Sequence, residues 1–262
     1  MLTKKGGYNV QQSNAYILIF TAIMTIIVGG LLSIASQGLA PAQKKSIELD
    51  TKTQILASVM DREELGKMKP DEILAKYHQR IVSLVVDING EEVTTNEKGG
   101  EMVAEEVNIL KNYKKSPEER HYPVYKYVSE NNADKVEAYI LPLYGAGLWN
   151  SIWGYVALKS DLNTIGGTSF DHTGETPGLG ARITSPEIQN RYVGKKIYDE
   201  SGKLVSVDMV KGEGNSGLNE HQVDGMSGAT ITGRGLNDML KSYLNHYQSY
   251  FKKINVGATA KL

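Results

Sequence analysis

Residues 224–232 read Asp-Gly-Met-Ser-Gly-Ala-Thr-Ile-Thr and sit just ahead of a long stretch of helical apolar spacing. Small residues and hydroxyls are concentrated there. Gly225 and Gly228 let the backbone curl so that successive N–H groups point into one concavity, and a helix that follows adds the positive end of its dipole. This chemistry suits a phosphate and needs no basic side chain. The other reading is a helix cap, because Ser and Thr routinely cap helices and Thr230 or Thr232 stands where a cap belongs.

Two upstream segments also carry chemistry. Residues 144–180 are dense in glycine, a sign that the backbone approaches something closely or takes up positive φ. Within them lie Gly147-Leu148-Trp149, followed by Gly154-Tyr155-Val156-Ala157-Leu158, and Glu175-Thr176-Pro177-Gly178-Leu179-Gly180. Ser227-Gly228-Ala229-Thr230-x-Thr232 resembles the covalent flavinylation motif of the flavin mononucleotide (FMN)-binding domains in bacterial respiratory complexes. The resemblance implies that the Thr230 hydroxyl is esterified to the FMN phosphate by a separate flavin transferase in a Mg-dependent step. Asp224, Ser227, Gly228, Ala229 and Thr232 match other motif positions. Thr176, Gly178 and Leu179 match the segment that contacts the flavin in the same domains, and Leu148 and Trp149 would pack beside the isoalloxazine. Lys211 also resembles a family position, near the phosphate or flavin N1, where an ammonium stabilises negative charge. A solvated surface lysine is the alternative for Lys211. Glu175 and His172 could tune the ring or cap a loop.

Composition closes off other chemistries. There is no cysteine, so disulfides, thiolate catalysis, Cys-ligated zinc, iron–sulfur clusters and c-type haem attachment are excluded, and redox work would need an organic cofactor. His78, His121, His172, His221 and His246 are scattered, without helical i, i+4 pairs or metal-motif spacing, so no metal site is expected. No dinucleotide fingerprint and no Gly-x-Ser-x-Gly elbow occurs, which argues against a complete dehydrogenase or a hydrolase. The net charge of −1 comes without a basic tail or patch, so nucleic acid is not an expected partner.

The elements that must position these residues follow from periodicity. Residues 15–35 form an apolar run with no charge, long enough to cross a bilayer at about 20 residues per span. A cleaved signal peptide is the competitor, but the run exceeds an h-region of about 7–15 residues and Pro41 follows the candidate cleavage site. Lys4 and Lys5 before the run are matched by Lys44 and Lys45 after it, so the positive-inside rule leaves sidedness undecided. The chain divides into a tail (1–14), a transmembrane helix (15–36), an amphipathic connector of two helices (37–80) and a soluble domain (81–262). Pro70 with Asp71 and Glu72 marks the start of the second connector helix. Residues 81–88 read as a strand ending in an Asn89-Gly90 turn. Further strands are read at 124–128, 136–143, 154–158, 193–198 and 204–210, with a loop over 112–123. Met239, Leu240, Tyr243, Leu244, Tyr247 and Phe251 recur at helical spacing and close the domain.

Pattern and resemblance together imply an α/β (α+β) fold, in which a twisted, largely antiparallel sheet is flanked by helices and FMN lies between the Thr176 and Thr230 segments. Nearly the whole chain resembles the C subunits of Na⁺-translocating NADH:quinone reductases, with the G subunits of the Rnf complexes as sister family. Residues 50–56 and Gly147-Leu148-Trp149 favour the former. The implied role is a one-electron relay through covalent FMN within a membrane complex whose other subunits carry the NADH, quinone and sodium sites. Such a chain is not catalytically complete alone. The implied setting is the bacterial inner membrane, with a single pass through the lipid bilayer and the flavin domain on the periplasmic side. The alternatives are a membrane-anchored FMN module of regulatory role and a cofactor-free interaction domain.

Overall fold

A computed structural model describes residues 13–259. Helix α1 (Asn14–Ala57) continues through Pro41, so the first amphipathic segment read after the apolar run is part of the same helix. It is the one described helix long and apolar enough to cross a membrane. The chain forms two compact units that divide between Glu48 and Leu49. In the first, α1 is exposed throughout residues 14–48.

The second unit is built on a sheet of order β1-β2-β3-β4-β5, with every neighbouring pair antiparallel. Its strands are β1 (Ile81–Val86), β2 (Tyr122–Ser129), β3 (Asn132–Ala146), β4 (Ser151–Lys159) and β5 (Ile165–His172). Strand β5 has no counterpart among the strands expected from sequence, because Gly166, Gly167 and Asp171 dilute its apolar signal. Gly167 is required there, since a Cβ would fall 2.4 Å from the Ser58 carbonyl oxygen. The strands read at 193–198 and 204–210 reduce to Thr164–Lys196 and Tyr198–Leu204 bridges and to β6 (Asp208–Met209), which pairs in parallel with β7 (Gln222–Val223).

Both faces of the sheet are covered, so adjacent residues on one strand serve different cores. Val124, Leu141 and Val156 face one cluster, whereas Tyr125, Ile140 and Tyr155 face the other. The first cluster is closed by α6 (Thr230–Thr259), through Leu236, Met239, Leu240, Tyr243, Leu244, Tyr247 and Phe251. The second is closed by Ile55 and Leu56 at the end of α1, Leu65 of α2 (Arg62–Lys67), and Ile73 and Tyr77 of α3 (Pro70–Arg80). Full burial of each large apolar side chain contributes about 1.5–3 kcal/mol, so α6 is firmly seated on its face. Two short helices, α4 (Ile109–Tyr113) and α5 (Pro186–Asn190), lie in the connections. Asn108 caps α4, Asp61 caps α2 and Ser185 caps α5.

The Asn89-Gly90 turn forms as read, with the Asn89 and Glu91 amides donating to Asp87 Oδ1 at 2.9 and 2.8 Å. Its return is only a Val86–Glu92 bridge, because β1 takes β2 as its sheet partner. Gly90 has φ of +74°, and a Cβ there would lie 2.5 Å from the Tyr250 backbone nitrogen. Gly90→Ala should therefore destabilise the domain by about 1–3 kcal/mol through overpacking and positive-φ strain. Thermal unfolding followed by circular dichroism would check this, and an unchanged midpoint would contradict the seating of α6 against this turn.

Candidate functional site

Three segments far apart in sequence meet at the first turn of α6. The turn between β3 and β4 carries Leu148 and Trp149 and is closed by the Gly147 amide donating to the Asn150 carbonyl at 2.7 Å. The segment after β5 carries Glu175 to Gly180, where Gly178 takes φ of +76° and the Leu179 amide donates to the Thr176 carbonyl at 3.1 Å. The third segment is 224–232 itself, where Gly228 takes φ of +72°.

Glu175 joins the three. It is buried, at 4% exposure. The Trp149 backbone N–H donates to its Oε1 at 3.1 Å and the Thr232 hydroxyl donates to its Oε2 at 2.5 Å. The Trp149 indole N–H donates to Thr176 Oγ1 at 3.2 Å, so the ring is held from two directions. Leu179 lies against Gly228, where a Cβ would fall 2.8 Å from its Cδ2. His172 Nδ1 accepts the Glu175 amide at 3.2 Å, which is the loop-capping alternative for that histidine.

A second set of polar contacts fixes the other side of the 224–232 turn. The Asp224 carboxylate accepts from the amides of Gly214 and Asn215 at 2.8 and 2.9 Å, and from the Asn215 side chain at 2.8 Å. Burial opposes its charge, but these bonds outweigh it and hold its pKa below the usual aspartate value. Asp224 is thus occupied in holding the loop that carries Lys211. Glu213 accepts from Arg182 at 2.6 and 2.9 Å, from Arg191 at 3.0 Å and from the Ser227 amide at 3.2 Å. Arg191 also donates to the Asp224 and Gly225 carbonyls. Gly225 has no room for a side chain, since a Cβ would fall 2.0 Å from the Val210 carbonyl oxygen.

Neither threonine caps α6. The Thr232 hydroxyl is committed to Glu175, and that of Thr230 makes no hydrogen bond among the described residues. The first amide of this helix bonded four residues back is that of Gly233, to the Ala229 carbonyl at 3.0 Å. The amides of 230–232 are therefore the orphan donors of a helix N-terminus. Thr230 lines a pocket of about 380 Å³ together with Lys211, Met226, Gly233, Arg234 and Asn237. Lys211 and Arg234 make no ion pair among the described residues, and Asp208 is the one acid lining the pocket. Ala229 is buried beneath the turn and Ser227 is exposed. A more open cleft of about 430 Å³ on residues 96–121 holds none of these groups.

The large apolar side chains on the same segments face solvent. Trp149 is 69% exposed, Ile231 53%, Leu148 43% and Leu179 41%. A flat, partly apolar ligand with an anionic end fits this arrangement, with its ring against these side chains and its anion at Thr230, the free amides and the two cations. Every candidate named from sequence falls on these segments except Lys211, which lines the same pocket, and His172, which ends β5 beside them. Ile231, Glu213, Arg191 and Arg234 were not foreseen. Only Arg234 had a sequence signal, since it stands four residues after Thr230 on one helix face.

Comparisons with known proteins identify the family of the region that carries these segments. A family profile described as the FMN-binding domain matches residues 147–245, which contain all three segments. The chain is 32% identical over 252 residues to the C subunit of Na⁺-translocating NADH-quinone reductase from Pseudomonas aeruginosa, covering 89% of this chain and 92% of that protein. It is 33% identical over 259 residues to the protein of the same description in Neisseria meningitidis, covering 91% and 92%. The crystal structure of the corresponding C subunit from Parabacteroides distasonis superposes with a TM-score of 0.67 at 37% identity, covering 81% of this chain and 96% of that one. NqrC of Shewanella oneidensis superposes with a TM-score of 0.65 at 26% identity, covering 82% and 99%.

The Glu213 contacts make a pH prediction. Arg182, then Arg191 and the Ser227 amide, hold the Glu213 carboxyl well below the usual carboxylate range. A depressed folded pKa contributes stability that is present above the unfolded value, about 4.3 for glutamate, and is lost as pH falls toward the folded value. Unfolding midpoints measured from pH 6 downward should therefore fall less steeply below about pH 4.3 for Glu213→Gln than for wild type. Parallel curves would show that the carboxylate contributes nothing to folding.

Proposed function

Because the chain belongs to the family formed by the C subunits of Na⁺-translocating NADH-quinone reductases, we propose that it holds FMN esterified through its phosphate to Thr230 and serves as a one-electron relay in that complex. The observation that carries this reading is the Thr230 hydroxyl, which has no hydrogen-bond partner among the described residues, in a pocket whose two cations make no ion pair among them, at a helix N-terminus. When bound, FMN supplies one-electron redox chemistry that no side chain of this cysteine-free protein offers.

Each residue has a part in holding that group. The amides of 230–232, Lys211 and Arg234 offset the phosphate charge. Gly228 gives the turn its positive φ, and Gly225 lets it lie against the 210–212 backbone. Leu148, Trp149, Leu179 and Ile231 cover the ring, while Thr176 orients the Trp149 indole. Asp224 and Ser227 hold the turn through Gly214, Asn215 and Glu213 rather than through the ligand. The site has direct access to solvent, so a flavin transferase can reach Thr230 on the folded domain, and an ester keeps the cofactor where it cannot be replaced from the cytoplasm.

Residues 15–36 of α1 serve as a single bilayer span, residues 37–80 as the connector and 81–262 as the flavin domain. The domain stands on the periplasmic side of the bacterial inner membrane, and the other membrane subunits of the reductase are the partners of the span. The span carries no Asp, Glu, Lys, Arg or His, so ion passage belongs to those subunits.

Intact mass of the full chain coexpressed with a flavin transferase, denatured to remove loose cofactor, tests the attachment. An FMN-sized increment should appear in wild type and vanish in Thr230→Ala, and an increment that survives the substitution would move the ester elsewhere. A hydrogen bond to a charged group contributes about 1.5–3 kcal/mol. Lys211→Ala combined with Arg234→Ala should accordingly slow attachment by about tenfold or more, since about 1.4 kcal/mol is a factor of ten. An unchanged rate would remove both from the phosphate site.

A further inference from the structure

Glu175 belongs to the segment whose family resemblance implies flavin contact, yet both of its oxygens are engaged within the protein. Oε1 accepts the Trp149 amide and Oε2 accepts the Thr232 hydroxyl, with Glu175 and Thr232 at 4% and 1% exposure. The space around the carboxylate is closed by two glycines. A Cβ at Gly147 would fall 2.4 Å from Oε1, and one at Gly180 would fall 2.4 Å from Oε2 and 2.5 Å from Thr232 Oγ1. Any side chain at either position would push these bonds apart.

From this arrangement we propose that Glu175 is a positioning residue, a latch that fixes the Trp149 hairpin to the first turn of α6 and so sets the ring-covering surface relative to the tether at Thr230. The inference rests on the flavin reading above. Without the latch, Thr230 still has its pocket, its cations and its helix N-terminus, so attachment does not depend on it. The hairpin, by contrast, keeps among the described residues only the indole hydrogen bond to Thr176 as a side-chain tie to the other two segments. An aromatic ring held against a flavin quenches its emission, so the Trp149 position is readable by fluorescence.

A glutamine at this position can preserve the latch. Its carbonyl oxygen accepts the Trp149 amide, and its NH₂ donates to the Thr232 hydroxyl, which reverses one bond without removing it. Glutamine deletes the charge and keeps the geometry, whereas alanine deletes both.

The test compares full-length wild type, Glu175→Gln, Glu175→Ala and Gly180→Ala, each coexpressed with the transferase. The readouts are intact mass, flavin emission per covalently bound flavin, and flavin midpoint potential. Gly180→Ala keeps Glu175 and stands in if Glu175→Ala does not fold. A latch gives full mass increments throughout, wild-type emission in Glu175→Gln, and loss of quenching in the other two. If Glu175→Gln matches Glu175→Ala in emission and both shift the potential, the carboxylate charge acts on the flavin directly and the latch is overturned. If all variants that carry flavin emit as wild type does, the latch is likewise overturned. No increment even in wild type would instead overturn the flavin reading on which it rests.

Discussion

The site depends on one packing arrangement, the seating of α6 across the face of the sheet that includes Leu141 and Val156. A tether at Thr230 can meet a hairpin around residue 148 only if the start of that helix is held at the end of the β3–β4 pair. Apolar side chains from Leu236 to Phe251 provide that hold. Gly235, a Cβ of which would fall 2.3 Å from the Ala146 carbonyl oxygen, allows the helix to come this close to the end of β3. Hydrophobic burial is not directional, so it brings α6 onto the sheet without fixing its register. The directional bonds of Glu175, and of Asn237 with the Met209 backbone, supply what burial leaves open.

Much of this was legible in the sequence where the signal is local. The start of the sheet at Ile81, the Pro70 start of α3 and the apolar stripe of α6 each follow from a few consecutive residues, and each is found in the structure. Local rules failed where tertiary contact decides the element. Strand β5 has Gly-Gly-Thr-Ser between Ile165 and Phe170 and ends in Asp171-His172, a poor strand by propensity, and it pairs because β4 offers a partner edge and Ser58 a close neighbour. The segment 193–210 is strand-like by composition, but positive φ at Gly194, Gly202 and Ser206 keeps turning it.

The candidate site shows the same division. Glycines and hydroxyls at 225–232 announce a tight polar turn, and family resemblance adds what such a turn would hold. Nothing local could announce that Glu213 reaches Arg182 and Arg191, because the three lie on separate turns that the fold alone brings together. Composition permits Thr230 and Thr232 to cap α6, and geometry directs them elsewhere. Glu175 competes successfully for the Thr232 hydroxyl, and Thr230 is turned toward the pocket.

The distribution of charge around the 224–232 turn explains how the site can favour an anion in a protein of nearly neutral charge. Acids outnumber bases by one in the whole chain, and acids crowd the turn as well. Yet Glu175 is committed to Trp149 and Thr232, Asp224 to the 214–215 amides, and Glu213 to two arginines. Each carboxylate is satisfied by donors of the scaffold, so its charge is spread into the protein and directed away from the pocket. The groups left without partners among the described residues are a hydroxyl, helix amides, and the Lys211 and Arg234 side chains, all able to donate to phosphate oxygens. The acids thus build the turn, and the donors they leave over define what the turn can hold.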